Sequence, residues 1–253
     1  MNTRDDWDRH WSDLYVSTRY SPAQAFRREL LIHWLERHVP EATNRLLDIG
    51  SGQGDLIASL SQVFPKMELA GVEASGVGIA QSQIKAPRAE FFQRDLQLLP
   101  DPKDPLTSWA HLAVCSEVLE HVDDPRLVLA NASHYLAPGA RLFITVPGGP
   151  ISAFDRHIGH RQHFTKASLQ RLIQESGLIP EQVCGVGFPF FNVYRIVVIL
   201  RGKALIKDAS GENKQRISSV AKIVMVAFSF VLKRKFNVNK WGWQLIALAR
   251  KPE

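Results

Sequence analysis

Short apolar runs alternate along the chain with stretches in which apolar residues recur every three or four positions. Arg45-Leu46-Leu47-Asp48-Ile49 is short, apolar and ended by Gly50, the pattern of a strand buried on both faces. Met67–Glu73, Arg88–Phe92, His111–Cys115 and Arg141–Pro147 read the same way, followed by Gly177–Val186 and Trp241–Arg250. Helical stretches separate them. Asp55-Leu56-Ile57 opens one after the first strand, and Thr165 caps another whose Leu169, Leu172 and Ile173 keep helical spacing. Arg27-Arg28-Glu29-Leu30 belongs to a helix before the first strand, and Trp7, Trp11, Leu14 and Tyr15 share one face of a helix upstream. Seven strands alternating with helices predict an α/β fold.

The turn after the first strand carries the most specific information. Gly50, Gly52 and Gly54 stand at every second position, with Ser51 between the first two, and a helix starts directly after them. Glycine there permits positive φ and lets a ligand lie against bare backbone. The helix N-terminus adds unpaired N–H groups and a positive dipole end. A dinucleotide fingerprint needs a sixth-position glycine, where Asp55 stands, and the phosphate-binding lysine of a Walker loop is missing. Asp48 places a carboxylate at the strand end, which suits a cationic ligand better than a pyrophosphate.

The run Asp48-x-Gly50-x-Gly52-x-Gly54 resembles the first motif of the class I S-adenosylmethionine-dependent methyltransferases. The resemblance extends from about Ser21 to Val186 and resumes at the last strand. Glu73 ends the second strand where such folds hold ribose hydroxyls. Asp95-Leu96 matches the family's pair beside the adenine, and Ser116 closes the fourth strand. Arg28 resembles an arginine that meets the cofactor's carboxylate in quinone-type relatives, and is preferred here to Arg27. The resemblance implies a Rossmann-like, doubly wound, seven-stranded, mostly parallel sheet and S-adenosylmethionine as cofactor. One departure is Ala110-His111, where the family often has Phe-Asp at the start of the fourth strand.

Some fifty residues separate the last two strands, where family members commonly have a hairpin, and this is too long for a structureless loop. Residues 188–240 are therefore read as a helical insertion, and 1–187 with 241–253 as the methyltransferase domain, residues 1–40 forming a helical cap. Phe188–Phe191 and Tyr194–Leu200 are strongly apolar, Lys207–Arg216 reads as a polar linker, and Ile217–Leu232 as a second apolar helix followed by Lys233-Arg234-Lys235. The formal net charge is +6, yet the insertion alone has eleven Lys/Arg against Asp208 and Glu212. It reads as a lid, or as a lid that also touches an anionic membrane surface. Neither apolar run reaches the length of a membrane span. Two cysteines give no disulfide framework, and the polar, acidic start is unlike a secretory leader. The expected location is cytoplasmic, with peripheral contact at the inner face of the membrane as the sharper alternative.

Methyl transfer to oxygen or nitrogen requires alignment, exclusion of water and removal of a proton, for which histidine is suited. His163 and His157, in the loop after the fifth strand, are the candidate catalytic residues, with His121 after the fourth strand as a positioning residue. The bland alternative is that His157, His160 and His163 only hydrogen-bond that loop together. Glu117, Glu120 and His121 would fall within one helical turn, and some relatives bind magnesium with such a set. No metal site is assigned here, because metal-free members share the string.

The strings that follow the fourth strand in base-amino and cytosine methyltransferases are absent, so nucleic acid is disfavoured despite a pI of about 9.4. The leading reading is a small-molecule methyltransferase acting at oxygen on a hydrophobic or lipid-linked acceptor. The alternatives are a saccharide or polyketide-like acceptor with the insertion as a simple lid, and a cofactor-binding adaptor without turnover. The oligomeric state is open.

Overall fold

The computed structural model describes residues 6–12, 21–39, 43–210 and 238–253. After a short helix at residues 7–12, the elements run α1 (Pro22–His38), β1 (Arg45–Ile49), α2 (Asp55–Val63), β2 (Glu68–Glu73), α3 (Gly76–Lys85) and β3 (Glu90–Gln93). They continue β4 (Ala110–Ser116), α4 (Pro125–Ser133), β5 (Leu136–Pro147), α5 (Ala153–His157), α6 (Lys166–Glu175) and β6 (Ile179–Val186). The last are α7 (Phe190–Ser210), β7 (Val238–Asn239) and β8 (Gln244–Arg250).

The sheet has the order β3-β2-β1-β4-β5-β8-β6-β7. Pairings from β3 through β5 are parallel, and β8 enters antiparallel to both β5 and β6. The doubly wound sheet is thus the expected one, with an eighth strand: two-residue β7 pairs antiparallel with the edge of β6. It was missed because two residues carry no readable period. Chain direction between neighbours reverses its winding between β1 and β4, the switch point at which such sheets bind ligands.

Burial on both faces explains the near-continuous apolar strands. Leu46, Leu112, Val114 and Phe143 pack on one side with Phe26, Leu30 and Trp34 of α1. Their neighbours Leu47, Ala113 and Ile144 point to the other side, toward Leu129 of α4 and Leu169 and Ile173 of α6. Burying each such side chain contributes roughly 1.5–3 kcal/mol. Helix α1 begins at Ser21, whose hydroxyl accepts from the Gln24 N–H, with Pro22 at the first turn.

The insertion starts as helix α7, which runs through Lys207 to Ser210 and so absorbs the first part of the stretch read as a polar linker. The rest of that linker and the helix read at Ile217–Leu232 lie outside the described residues. Phe191 stacks on Phe26 with ring centroids 4.9 Å apart. Arg195 makes a two-pronged ion pair with Asp155 of α5, at 2.9 and 2.8 Å. The Ser152 N–H also donates to Asp155. Burial alone would raise the Asp155 carboxyl, but Arg195 and Ser152 hold it well below the usual carboxylate range.

Both partners are buried, so losing one strands the other. Arg195→Met is therefore expected to cost about 3–5 kcal/mol of stability, read by denaturant unfolding. Because Asp155's folded value is depressed, its contribution is complete above the unfolded carboxylate range and fades as pH falls below it. Asp155→Asn should accordingly shrink the stability difference between neutral and acidic solution; an unchanged difference would refute this role.

Candidate active site

The cleft forms at the carboxyl ends of β1, β2 and β4, where the first glycine turn leaves the sheet. Gly50, Gly52 and Gly54 all have left-handed backbones, with φ of 72°, 55° and 75°. A Cβ on Gly50 would overlap Val118, one on Gly52 would meet the Trp11 ring at 2.7 Å, and one on Gly54 would meet Ser82 at 2.8 Å. The turn is anchored from β2: the N–H groups of Gly50 and Ser51 donate to the Val72 carbonyl, and Gly52 N–H donates to Glu73 Oε2 at 2.9 Å. Glu73 Oε1 accepts from Ser75 N–H at 3.0 Å. Desolvation nonetheless raises the buried Glu73 carboxyl, and burial with Glu73 nearby pushes Asp48 up to about 7. A cationic ligand would favour the ionised form of both.

Gly50, Glu73, Asp95 and Leu96 line the cleft together with Val118 and His121. Asp48, Ser51, Gly52 and Gly54 are buried and do not themselves line it. Ser116 does not line it; its hydroxyl bonds the Thr145 hydroxyl at 2.8 Å, a strand-to-strand tie between β4 and β5. The helix at residues 7–12 caps the opening, with Trp7 and Trp11 in the wall. Asp8 fixes it in place, accepting from Ser75 Oγ at 2.6 Å and Val77 N–H at 3.2 Å at the start of α3. These bonds hold Asp8 below its ordinary value. Leu14 and Tyr15, read on the same helical face, lie outside the described residues.

Arg27, not Arg28, is the arginine that reaches the site. Its guanidinium lies 3.3 Å from Oε2 of Glu117, a residue of the cleft wall, though neither arginine lines the cleft itself. The signal was present: Arg27 falls four residues from both Ala23 and Leu31, on the stripe of α1 that is buried. Glu117 is held on its other oxygen by Gln244 of β8, at 2.9 Å. Its φ of 57° is left-handed, rare outside glycine and characteristic of functional turns. The segment after β4 is a series of bends, so Glu117, Glu120 and His121 do not share a helical turn as expected.

Beyond Glu117 the histidines form a chain. His163 Nδ1 lies 3.1 Å from the Gly149 carbonyl, and its Nε2 lies 3.1 Å from His160 Nδ1. A carbonyl only accepts, so His163 donates from Nδ1 and accepts at Nε2, and His160 donates from Nδ1. That leaves His160 Nε2 with a bare lone pair, 4.0 Å from Glu120 Oε1; His121 Nε2 lies 3.9 Å from the same oxygen. Burial keeps both rings neutral, lowering His160 to about 2 and His121 to about 3, with each ring's neighbours adding to the effect. Burial and then Glu117 raise the Glu120 carboxyl well above the usual range, and neither of its oxygens has a hydrogen-bond partner.

This corrects the sequence reading in three respects. His157 is exposed at the end of α5 and stands apart from the chain. His163 spends both ring nitrogens on Gly149 and His160, which makes it a positioning residue rather than a base. His160, read in the sequence only as a possible hydrogen-bonded tie within the loop, makes that tie to His163 and also carries the available lone pair. Imidazoles held this far down are poor bases but ready neutral ligands.

The set has the chemistry of a cation site. Ligand atoms of Glu120, His121 and His160 lie within 4.8 Å of one another, with Glu120 buried and Glu117 its neighbouring carboxyl. Asp155, His160 and His163 cluster as closely, but Asp155 is already taken by Arg195 and Ser152. Two imidazoles with one carboxylate suit zinc or manganese better than magnesium.

A family model for a methyltransferase domain matches residues 23–183, more than half of the chain. The chain belongs to that family. It is an S-adenosylmethionine-dependent methyltransferase of a small-molecule type. It is 24% identical over 191 residues to a ubiquinone biosynthesis O-methyltransferase of Thiobacillus denitrificans, covering 66% of this chain and 78% of that protein. A match to the protein of the same name in Xylella fastidiosa, 28% identical over 133 residues, covers 49% of this chain and 50% of that one. The fold is that of phosphoethanolamine N-methyltransferase 2 of Haemonchus contortus, solved with S-adenosylhomocysteine, at a TM-score of 0.62 and 18% identity. That likeness covers 100% of this chain and 61% of the solved one. The site fits the cofactor by its chemistry, a turn of left-handed glycines with the buried carboxyls of Asp48 and Glu73 beside it to face a cationic nucleoside.

Gly50→Ala in this methyltransferase must adopt a left-handed backbone and displace Val118. It is expected to weaken S-adenosylhomocysteine binding about 100-fold by calorimetry. Binding within about threefold of the unaltered protein would contradict the assignment of this turn.

Proposed function

We propose that this methyltransferase moves a methyl group to an oxygen of a hydrophobic or lipid-linked small molecule. The observation that carries the reading is the neutral, buried histidine–carboxylate cluster opening through His121 into a cleft walled by Trp7, Leu96, Val118 and Val122. The name O-methyltransferase borne by the relatives supports the acceptor atom. Bound in the cleft, S-adenosylmethionine supplies a sulfonium methyl already activated by positive charge.

The chain's own residues do three things. The apolar and aromatic walls exclude water and align the acceptor, which accounts for much of the rate of an in-line displacement. Glu120, His121 and His160 would hold a divalent cation, whose chemistry is to lower the pKa of a hydroxyl beside it. Arg27 and Gln244 hold the two oxygens of Glu117 beside that cluster.

Incubation of the purified protein with methyl-labelled cofactor and fractionated cell extracts tests the reading. Label should enter the lipid-extractable fraction, in a product carrying an alkali-stable methyl ether. Label confined to water-soluble products would instead favour the saccharide or polyketide-like acceptor, and no label anywhere the adaptor without turnover. Calorimetric titration with zinc or manganese should show one site that His160→Ala removes without loss of S-adenosylhomocysteine binding. An unaltered titration in that variant would exclude the cluster as a cation site.

A further inference from the structure

Helix α7 buries a mixed side and leaves an apolar side open. At 100° per residue, Phe191, Asn192, Arg195 and Val198 occupy one arc, all buried against α1, α5 and the β6–β8 edge. The opposite arc, about 100° wide, carries Val193, Ile196, Val197 and Leu200. These are 48%, 43%, 42% and 81% exposed. Water normally faces a polar side of a surface helix, so an arc of this kind marks a contact surface. Trp241, 63% exposed, lies beside the start of the helix. Asn192 ties that residue to the helix, donating from Nδ2 to the Trp241 carbonyl at 2.9 Å and accepting from the Trp243 N–H at 3.0 Å. Lys240 lies over the Trp241 ring, 5.4 Å from its centroid.

We propose that the open face of α7, with Trp241 and Lys240 beside it, docks this methyltransferase on an anionic lipid bilayer. Charge selects this occupant. Exposed Arg201 and Lys240 border the face, and residues 188–202 and 238–243 hold no acidic residue, so it repels a second copy of itself and attracts anionic headgroups. Aliphatic side chains enter the boundary of the acyl region while lysine and tryptophan sit at headgroup level, the division of labour of an interfacial helix. Among the described residues no helix is long and apolar enough to cross a membrane, which leaves contact along the surface. The buried side of the same helix carries Arg195, paired with Asp155, whose Oδ2 lies 3.9 Å from His163 Nε2. The docked face and the histidine cluster thus stand back to back. Docking does not depend on the identity of the acceptor, and its test reads binding rather than turnover.

Flotation of the full chain with vesicles decides it. The protein should float with phosphatidylcholine vesicles containing phosphatidylglycerol and stay down with phosphatidylcholine alone or in high salt. Val193→Glu with Val197→Glu should reduce flotation about tenfold or more, with Tm and S-adenosylhomocysteine affinity unchanged. Leu200→Glu, at the most open position, should act the same way and guards against misfolding of the double variant. Failure of the unaltered protein to float at low salt would overturn the proposal, as would equal flotation of both variants. A fall in Tm in both variants would mean that the chain itself covers this face, and a dimer dissolved by them would mean a second copy does. Either result replaces the bilayer as occupant.

Discussion

The left-handed turn between β1 and α2 is the constraint on which the site depends. Three glycines at alternate positions let the backbone fold back on itself, and each has a neighbour where a side chain would go. Glu73 makes the turn rigid by accepting the Gly52 N–H from the adjacent strand, across the switch point of the sheet. Strand order then fixes what surrounds it: β2 brings Glu73, the segment after β3 brings Asp95 and Leu96, and β4 delivers Val118 and His121. Sheet topology, more than any single interaction, brings these residues to one edge.

The histidine cluster follows from a second backbone constraint. The Gly149 carbonyl accepts from His163, and this one bond sets the tautomers down to His160. Burial keeps the imidazoles neutral and leaves Glu120 without a partner, an arrangement that costs stability unless something binds there. Glu117 is held by Arg27 and Gln244 on a left-handed backbone beside that carboxyl.

What could be read from the sequence was local. Strand β1, the glycine turn and Glu73 are legible because apolar run, glycine spacing and acid position are all short-range patterns. Arg27 and Arg28 differ by one residue, hence by 100° around α1, and only the buried stripe tells them apart. His160 and His163 are three residues apart, and nothing nearby says which keeps a lone pair; that depends on a carbonyl fourteen residues away. Gln244 reaches Glu117 across 127 residues, a contact only the antiparallel entry of β8 creates. The polar linker read at Lys207 was overridden because α7 gains its stability from packing Phe191 and Arg195, not from the composition of its end.

Helix α7 joins these parts, with a buried side pinned to the loop of the histidine cluster and an open side that is greasy and bordered by lysine. All of it presupposes a cleft that takes the methyl donor. Trp7 and Trp11 line that cleft and report its filling directly. Titrating the purified protein with S-adenosylhomocysteine should change tryptophan fluorescence saturably, with one molecule bound per chain. A folded protein whose emission and heat signal stay flat up to millimolar ligand would contradict the account at its root.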